Sequence, residues 1–310
     1  MSNRALALIT AAVAVFAGVS LWRVVVSAAD SASLLTPNGD EALLEALLDD
    51  ETARAKTKNG SGRDNASPVR RYQRLSQPPK QASDQAKVRV ALFKHYPVRR
   101  LQPQAGASCR SASGVLQGTI ELTRISRESL VCQGGGAALI AVNNAPYQGS
   151  IELIRHGGDW LAINQVPLET YVASVVGAEM PSHWNKEALK AQAVAARSYA
   201  LVHVVRPASA HYHLGDSTRW QVYAGVGSTS SSTRQATQAT EGQVLQFRGG
   251  LVESLYAASA QISAEAHGHL GASMSQMGAQ ALAQQGKNYA QILDRYYNGA
   301  GLARIRLDGD

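Results

Sequence analysis

The segment from Gly177 to His203, "GAEMPSHWNKEALKAQAVAARSYALVH", carries one carboxylate, Glu179, two residues before Pro181. Lys190 and Arg197 follow in an alanine-rich run. A lone carboxyl that keeps its proton near neutral pH can act as a general acid. The alternative is an ionised carboxylate at the positive end of a helix, a stabilising device worth under about 1 kcal/mol. Pro181 disfavours the α region at Met180, which puts Glu179 just outside the following helix, in extended or turn backbone. The dipole of that helix favours ionisation. Burial among apolar neighbours such as Met180 and Trp184 favours the proton. Spacing alone favours the ionised helix partner.

The elements that must position this acid are legible as patterns. Ser182 or Asn185 can cap the helix that follows. Alanines at 188, 191, 193, 195, 196 and 200 favour helix and permit close packing. Leu189, Ala193, Ala196 and Ala200 form one stripe, and Lys190, Val194, Arg197 and Leu201 another. An arginine in an apolar stripe is semi-buried and needs a carboxylate, from the protein or from a ligand. Upstream, "PLETYVASVV" has helical spacing, with Leu168, Tyr171, Val172, Val175 and Val176 on one side. Residues 87–164 alternate apolar and polar, as in "KVRVALF" and "GSIELIRHGGDWLAI", and predict a β-rich lobe. "AGVGSTSSSTRQATQATEG" reads as a connection, "QVLQF" and "LVESLYAAS" as strands, and "GAQALAQQGKNYAQILDRYYNG" as a closing helical piece. The expected class is α+β: a β-rich lobe packed with the long Ala-rich helix and a C-terminal helix.

The 310 residues suffice for one large or two modest domains. Residues 1–29 carry one early charge, Arg4, an apolar run at 5–21, and the small residues Ser27, Ala28 and Ala29. They read as an export signal or an uncleaved membrane anchor, and either puts the rest of the chain outside the cytoplasm. Residues 30–86 are rich in Lys, Arg, Ser, Asn and Pro and read as a flexible polar linker. The net charge of +7 suits an anionic partner such as cell-wall polymer, membrane surface or nucleic acid. The export signal opposes nucleic acid, and so does an aromatic content of 6%, which leaves few platforms for base stacking. In an oxidising compartment Cys109 and Cys132 could pair; otherwise they are two buried thiols.

"VPLETYVASVVGAEMPSHWNKEALKAQAVAARSYAL" resembles the core signature of the stage II sporulation protein D family, which includes the amidase-enhancer domains. Tyr171, Glu179, Met180, Pro181, Trp184, Glu187 to Arg197 and Tyr199 fall in register with it. "DSTRWQVYAG", "ATEGQVL" and "MSQMGAQALAQQGKNYAQILDRYYNG" resemble later family segments in the right order. The resemblance implies one domain over 87–310 with a central glycan-binding cleft. It also implies a peptidoglycan lytic transglycosylase that cleaves between N-acetylmuramic acid and N-acetylglucosamine in peptide-stripped strands. Glu179 would be its single catalytic acid and base, without the second carboxylate of most glycosidases. Lys190, Arg197, His269, Ser275 and Gln276 would bind substrate. The bland roles for Lys190 and Arg197 are surface solvation and packing, and for His269 a cap or loop position. No cofactor is implied.

Two departures from the family pattern stand out. Some members hold zinc on a histidine and two cysteines, where this chain has Gly215, Arg219 and Trp220, so no metal is expected. Near 260–266 only "QISAEAH" stands where the family runs through several dozen residues. That contraction supports a second reading, a non-catalytic wall-binding protein that stimulates a partner N-acetylmuramoyl-L-alanine amidase.

Overall fold

The computed structural model describes residues 86–125, 129–267 and 273–305. The apolar run at 5–21, the linker up to residue 85 and His269 lie outside the described residues. Among the described residues no helix is long and apolar enough to cross a membrane.

The β-rich lobe comprises β1 (Lys87–Ala91), β2 (Arg100–Pro103), β3 (Ala107–Ser111), β4 (Gly114–Leu116), β5 (Ile120–Glu121), β6 (Leu130–Gly134), β7 (Ile140–Val142), β8 (Ala145–Tyr147), β9 (Ser150–His156) and β10 (Asp159–Pro167). Helices α1 (Leu168–Glu179) and α2 (Lys186–Val205) follow. Next come β11 (Leu214–Gly215), α3 (Ser231–Ala239), β12 (Gln243–Phe247), β13 (Gly250–Leu251), β14 (Leu255–Ala257) and α4 (Ala260–His267). The described chain closes with β15 (Ser273–Ser275), α5 (Gln276–Gln284), α6 (Tyr289–Tyr296) and β16 (Gly301–Arg304). The class is α+β.

A seven-stranded sheet runs in the order β11-β1-β10-β9-β6-β3-β4. Its pairs are antiparallel except β11, which lies parallel to β1. The alternation in sequence follows from this sheet: Ile151 and Leu153 of β9 point into the core while their neighbours are half-buried. β10 breaks the alternation because it is covered on both faces. Trp160, Ala162 and Val166 join the main core; Leu161 and Ile163 join Ala91 in a smaller cluster bordered by Phe93, Tyr96, Ile154 and Tyr212. Cys109 and Cys132 face each other across β3 and β6 and form a disulfide.

Among the described residues, helix α2 is enclosed by α1, α3, α5, α6 and β12. Nearly every residue from Ala188 to Val202 is buried, which only a helix rich in alanine permits on all sides. Asn185 caps it, its side chain accepting from the Glu187 N–H at 2.9 Å.

Two regions depart from the sequence expectation. The Ser/Thr-rich connection contains α3, started by a reciprocal cap between Ser230 and Thr233. The C-terminal helical piece is two helices, separated by Gly286 at φ +83° and restarted by the cap residue Asn288.

Candidate active site

Glu179 is the last residue of α1, not a residue outside a helix. Pro181 does exclude Met180 from the α region, and Met180 is extended at φ −130°, ψ 143°. That restriction reaches one residue back and no further, so the helix persists through Glu179. The electrostatic expectation therefore reverses. Glu179 sits at the negative end of α1, which disfavours an ionised carboxylate, while α2 begins only at Lys186.

The end of α1 is fixed by close contacts. A Cβ on Gly177 would lie 2.0 Å from the Ser228 carbonyl oxygen, so only glycine lets the 225–228 turn pack on this last helical turn. Ser228 also donates its hydroxyl to the Ser174 carbonyl at 2.9 Å.

Two neutral donors hold the half-buried carboxylate. The Val222 N–H donates to Oε1 at 2.7 Å, and Gln276 Nε2 donates to Oε2 at 3.3 Å. Burial pushes the Glu179 carboxyl above its usual range; the Val222 and Gln276 hydrogen bonds and the charge of Lys94 pull the other way. Among the described residues no cation lies within ion-pair distance of it. The buried Tyr171 and the half-buried Tyr256 feel its charge.

The Val222 donor is held by its neighbour. Gln221 is fully buried and receives the Tyr171 hydroxyl at 2.9 Å. Its Nε2 donates to the Tyr256 hydroxyl at 2.9 Å and to the Ala196 carbonyl at 3.3 Å. One side chain thus ties α1, α2 and β14 to the strand of backbone that meets Glu179.

The structure brings Gln276 to Glu179, and its neighbour Ser275 is the buried cap of α5, accepting the Gly278 N–H at 3.0 Å. Arg197 is corrected from a ligand-binding residue to a buried tie. It is fully buried, and all five of its N–H donors have protein acceptors. Nε and Nη2 bond the two Glu169 oxygens at 2.8 and 2.6 Å, and the rest reach the carbonyls of Ala193, Gln243 and Thr237. Lys190 bonds Glu187 at 2.7 Å and lies over the Tyr289 ring. Glu187 in turn accepts the Tyr289 N–H, so this group joins α2 to α6, away from Glu179.

The positions at which the resemblance would set a zinc site are filled by hydrocarbon. The Trp220 indole stacks on Phe93 at 5.9 Å and 7°, and a Cβ on Gly215 would fall 2.4 Å from the indole. Glycine and tryptophan offer no ligand atoms, so these residues do not fit a zinc ion.

Sequence reading did not find Lys94, Val222, Gln221 or Asp216. Asp216 is fully buried and accepts the Lys94 N–H on both oxygens at 3.2 Å; burial lifts its carboxyl to about 6. The only sequence signal for this group was the "DSTRWQVY" stretch that bears three of the four.

β14 and β15 pair in parallel, which demands a crossover connection, and α4 lies between them in the chain. Gln276 follows directly from β15.

Comparison with known proteins bears on the same segment. Residues 156–247 match the family described as "SpoIID: Stage II sporulation protein". An uncharacterized protein of Brachyspira hyodysenteriae is 33% identical over 118 residues, 38% of this chain and 32% of its own. The amidase enhancer of Bacillus subtilis is 40% identical over 85 residues, 27% of this chain and 11% of its own. Stage II sporulation protein D of Bacillus subtilis is 31% identical over 110 residues, 31% of this chain and 32% of its own. The matched segment spans a third or less of each relative's length. This segment, which carries Glu179 and the Val222 donor that holds it, is similar to the stage II sporulation protein D and amidase-enhancer proteins.

Proposed function

We propose that the chain acts on the cell wall as a peptidoglycan lytic transglycosylase, with Glu179 as its single acid and base. The observation that carries this reading is the environment of Glu179: a half-buried carboxyl at the negative end of a helix, held by two neutral donors and raised in pKa. A purely structural carboxylate is better served by a cation.

The chemistry follows from one oxygen pair. The protonated carboxyl donates to the glycosidic oxygen between N-acetylmuramic acid and N-acetylglucosamine as the C1–O4 bond breaks. The carboxylate left behind takes the proton of the muramic C6 hydroxyl as O6 bonds to C1. The product is a 1,6-anhydro end, no water is consumed, and Glu179 regains its proton. Short bonding to Val222 fixes Oε1, leaving Oε2, with the longer contact to Gln276, as the oxygen that exchanges the proton. No second carboxylate is required, unlike the two-acid scheme. The substrate lies in the periplasm or cell envelope, a location consistent with the N-terminal export or anchor segment.

The second reading is a non-catalytic wall-binding protein that stimulates a partner amidase. It draws support from the likeness to an amidase enhancer. One experiment separates the two. The protein is incubated with peptide-stripped glycan strands, and 1,6-anhydromuramic ends are sought by mass spectrometry. Release by wild type and its loss in Glu179→Gln support the enzyme. Binding of glycan without release by wild type removes it in favour of the second reading.

A further inference from the structure

We infer that the cavity beside the first turn of α1 is a second site, one that binds a short peptide with both ends free. Arg234 takes the peptide's carboxylate and Glu241 its ammonium. Glu179 does not line this cavity, and the inference is independent of the role given to that residue.

The cavity holds about 450 Å³, within the range of small-ligand sites. Its walls are the start of α1, one side of α3 with the residue past its cap, and the 225–229 turn. Those walls are fixed without a ligand. Helices α1 and α3 run antiparallel and are joined at both ends. At one end a Cβ on Gly177 would sit 3.4 Å from the Thr233 methyl. At the other, Glu169 accepts the Gly242 N–H at 3.2 Å. The turn is seated on β8: a Cβ on Gly225, at φ +60°, would lie 2.6 Å from the Pro146 carbonyl oxygen.

The charges of the lining decide the ligand. Glu169 is committed, its oxygens accepting from Arg197 and Gly242. Arg234 and Glu241 are not: among the described residues neither side chain has a hydrogen bond or an ion pair. One unpaired cation and one unpaired anion on the same cavity match a zwitterion. A simple anion would be repelled by Glu241 and Glu169, and a simple cation by Arg234. The lining has no aromatic ring on which a sugar face could stack. Its apolar side chains are only Ala173 and Val226, which give a lipid chain little to bury against.

The spacing of the two charges sets the length of the ligand. Arg234 and Glu241 are seven residues apart along α3 and the turn that ends it, a rise of about 10 Å. Three peptide residues at about 3.5 Å each extend as far. A guanidinium takes a carboxylate through two parallel hydrogen bonds, which fixes the peptide's direction. The side-chain amides of Gln148 and Gln238 also line the cavity. Each both donates and accepts, as the backbone groups of a peptide require.

The test titrates the full chain calorimetrically with four probes: trialanine, N-acetyl-trialanine, trialanine amide and free alanine. Trialanine binds about tenfold more tightly than either blocked form. Alanine, too short to reach both charges, binds at least as weakly as the blocked peptides. Arg234→Gln removes the difference between trialanine and its amide and keeps the difference from the acetylated form. Glu241→Gln does the reverse. Both side chains are exposed, so neither change disturbs the core. No binding of trialanine at millimolar concentration overturns the proposal, and so does affinity equal to that of the blocked forms; neither outcome needs a variant. Alanine matching trialanine overturns it too, as does Arg234→Gln weakening trialanine and its amide equally. Glu179→Gln leaves trialanine binding unchanged. Loss of binding in that variant would put the site at Glu179 and overturn the assignment to this cavity, whereas failure to find anhydro ends bears on Glu179 alone.

Discussion

Helix α1 carries a glutamate at each end, and the two have opposite surroundings. Glu169 lies in the first turn, where the helix dipole favours a negative charge. It takes both arms of the buried Arg197 guanidinium and the Gly242 N–H at 3.2 Å. A cavity of about 450 Å³ opens beside it, lined also by Arg234 and Glu241, and Glu179 has no part in it. Glu179 lies about 15 Å along the helix, at the end where the dipole disfavours charge, with neutral donors and, among the described residues, no paired cation. The same side chain on the same helix is a tie between α1, α2 and β12 at one end and a proton holder at the other. A carboxylate's partners, more than its motif, decide which duty it performs.

The sharpest way to break this contrast is to neutralise each acid's special feature. Glu179→Gln is expected to lower release of anhydro ends by about 10²–10⁴-fold, measured by mass spectrometry of the products. It should also leave the fold more stable at neutral pH. A carboxyl whose folded pKa is raised stabilises the fold below its unfolded pKa, and that contribution is lost as pH rises through the folded value. Urea unfolding of the variant against wild type should therefore show an advantage that grows from pH 4 to pH 8. An advantage that shrinks over that range would contradict the raised pKa.

At the other end, Arg197→Leu leaves Glu169 beside a buried apolar surface without its cation. The expected loss is about 3–5 kcal/mol of stability, read by urea unfolding. Restoring neutrality with Glu169→Leu in the same chain should recover part of it. If Arg197→Leu instead left stability intact and weakened glycan binding alone, the guanidinium would belong to the ligand site and the contrast would fail.

How much of this was legible in the sequence depends on where the signal resides. The strands and α1 were readable because their apolar residues, such as Tyr171, Val172 and Val175, repeat with the period of the element and are buried. Helix α3 was not, because its composition is that of a loop. Its buried face is Thr233, Ala236 and Thr237, and Thr237 and Thr240 return their hydroxyls to carbonyls one turn back, at 2.9 and 3.0 Å. Glu179 and Gln276 were found through the motif. The geometry between them was not, since the Val222 donor is a backbone N–H with no side-chain signature and Lys94 lies far back in the β-rich lobe. Arg197 was correctly read as needing a carboxylate, but nothing in one helix stripe could name Glu169 as its source.

The brace under Lys94 offers a third, smaller effect. The Asp216 carboxyl rises from 3.8 to about 6 through burial. Its contribution to stability is complete below about pH 4 and is lost as pH rises through 6, by up to about 3 kcal/mol. Asp216→Asn does not titrate, so unfolding free energies of variant and wild type should diverge across that window and run parallel above it. A difference that stays constant from pH 3 to pH 8 would mean that Asp216 is not held in a desolvated site.

The smallest effect tests the boundary of the site. Lys190 belongs to the family motif, yet its bond to Glu187 is partly exposed, with about a quarter of each side chain open to solvent. Such pairs contribute under about 1 kcal/mol. Lys190→Ala should lower stability by no more than that and leave the Glu179 carboxyl titrating where it does in wild type, as followed by carbon-13 NMR of the labelled side chain. Lys94→Met should raise the Glu179 pKa in the same experiment, because it removes a charge that pulls that pKa down. The pair of variants asks which lysine the acid senses. If Lys190→Ala moved the titration and Lys94→Met did not, the motif would outrank the geometry, and the acid's electrostatic partner would lie on α2.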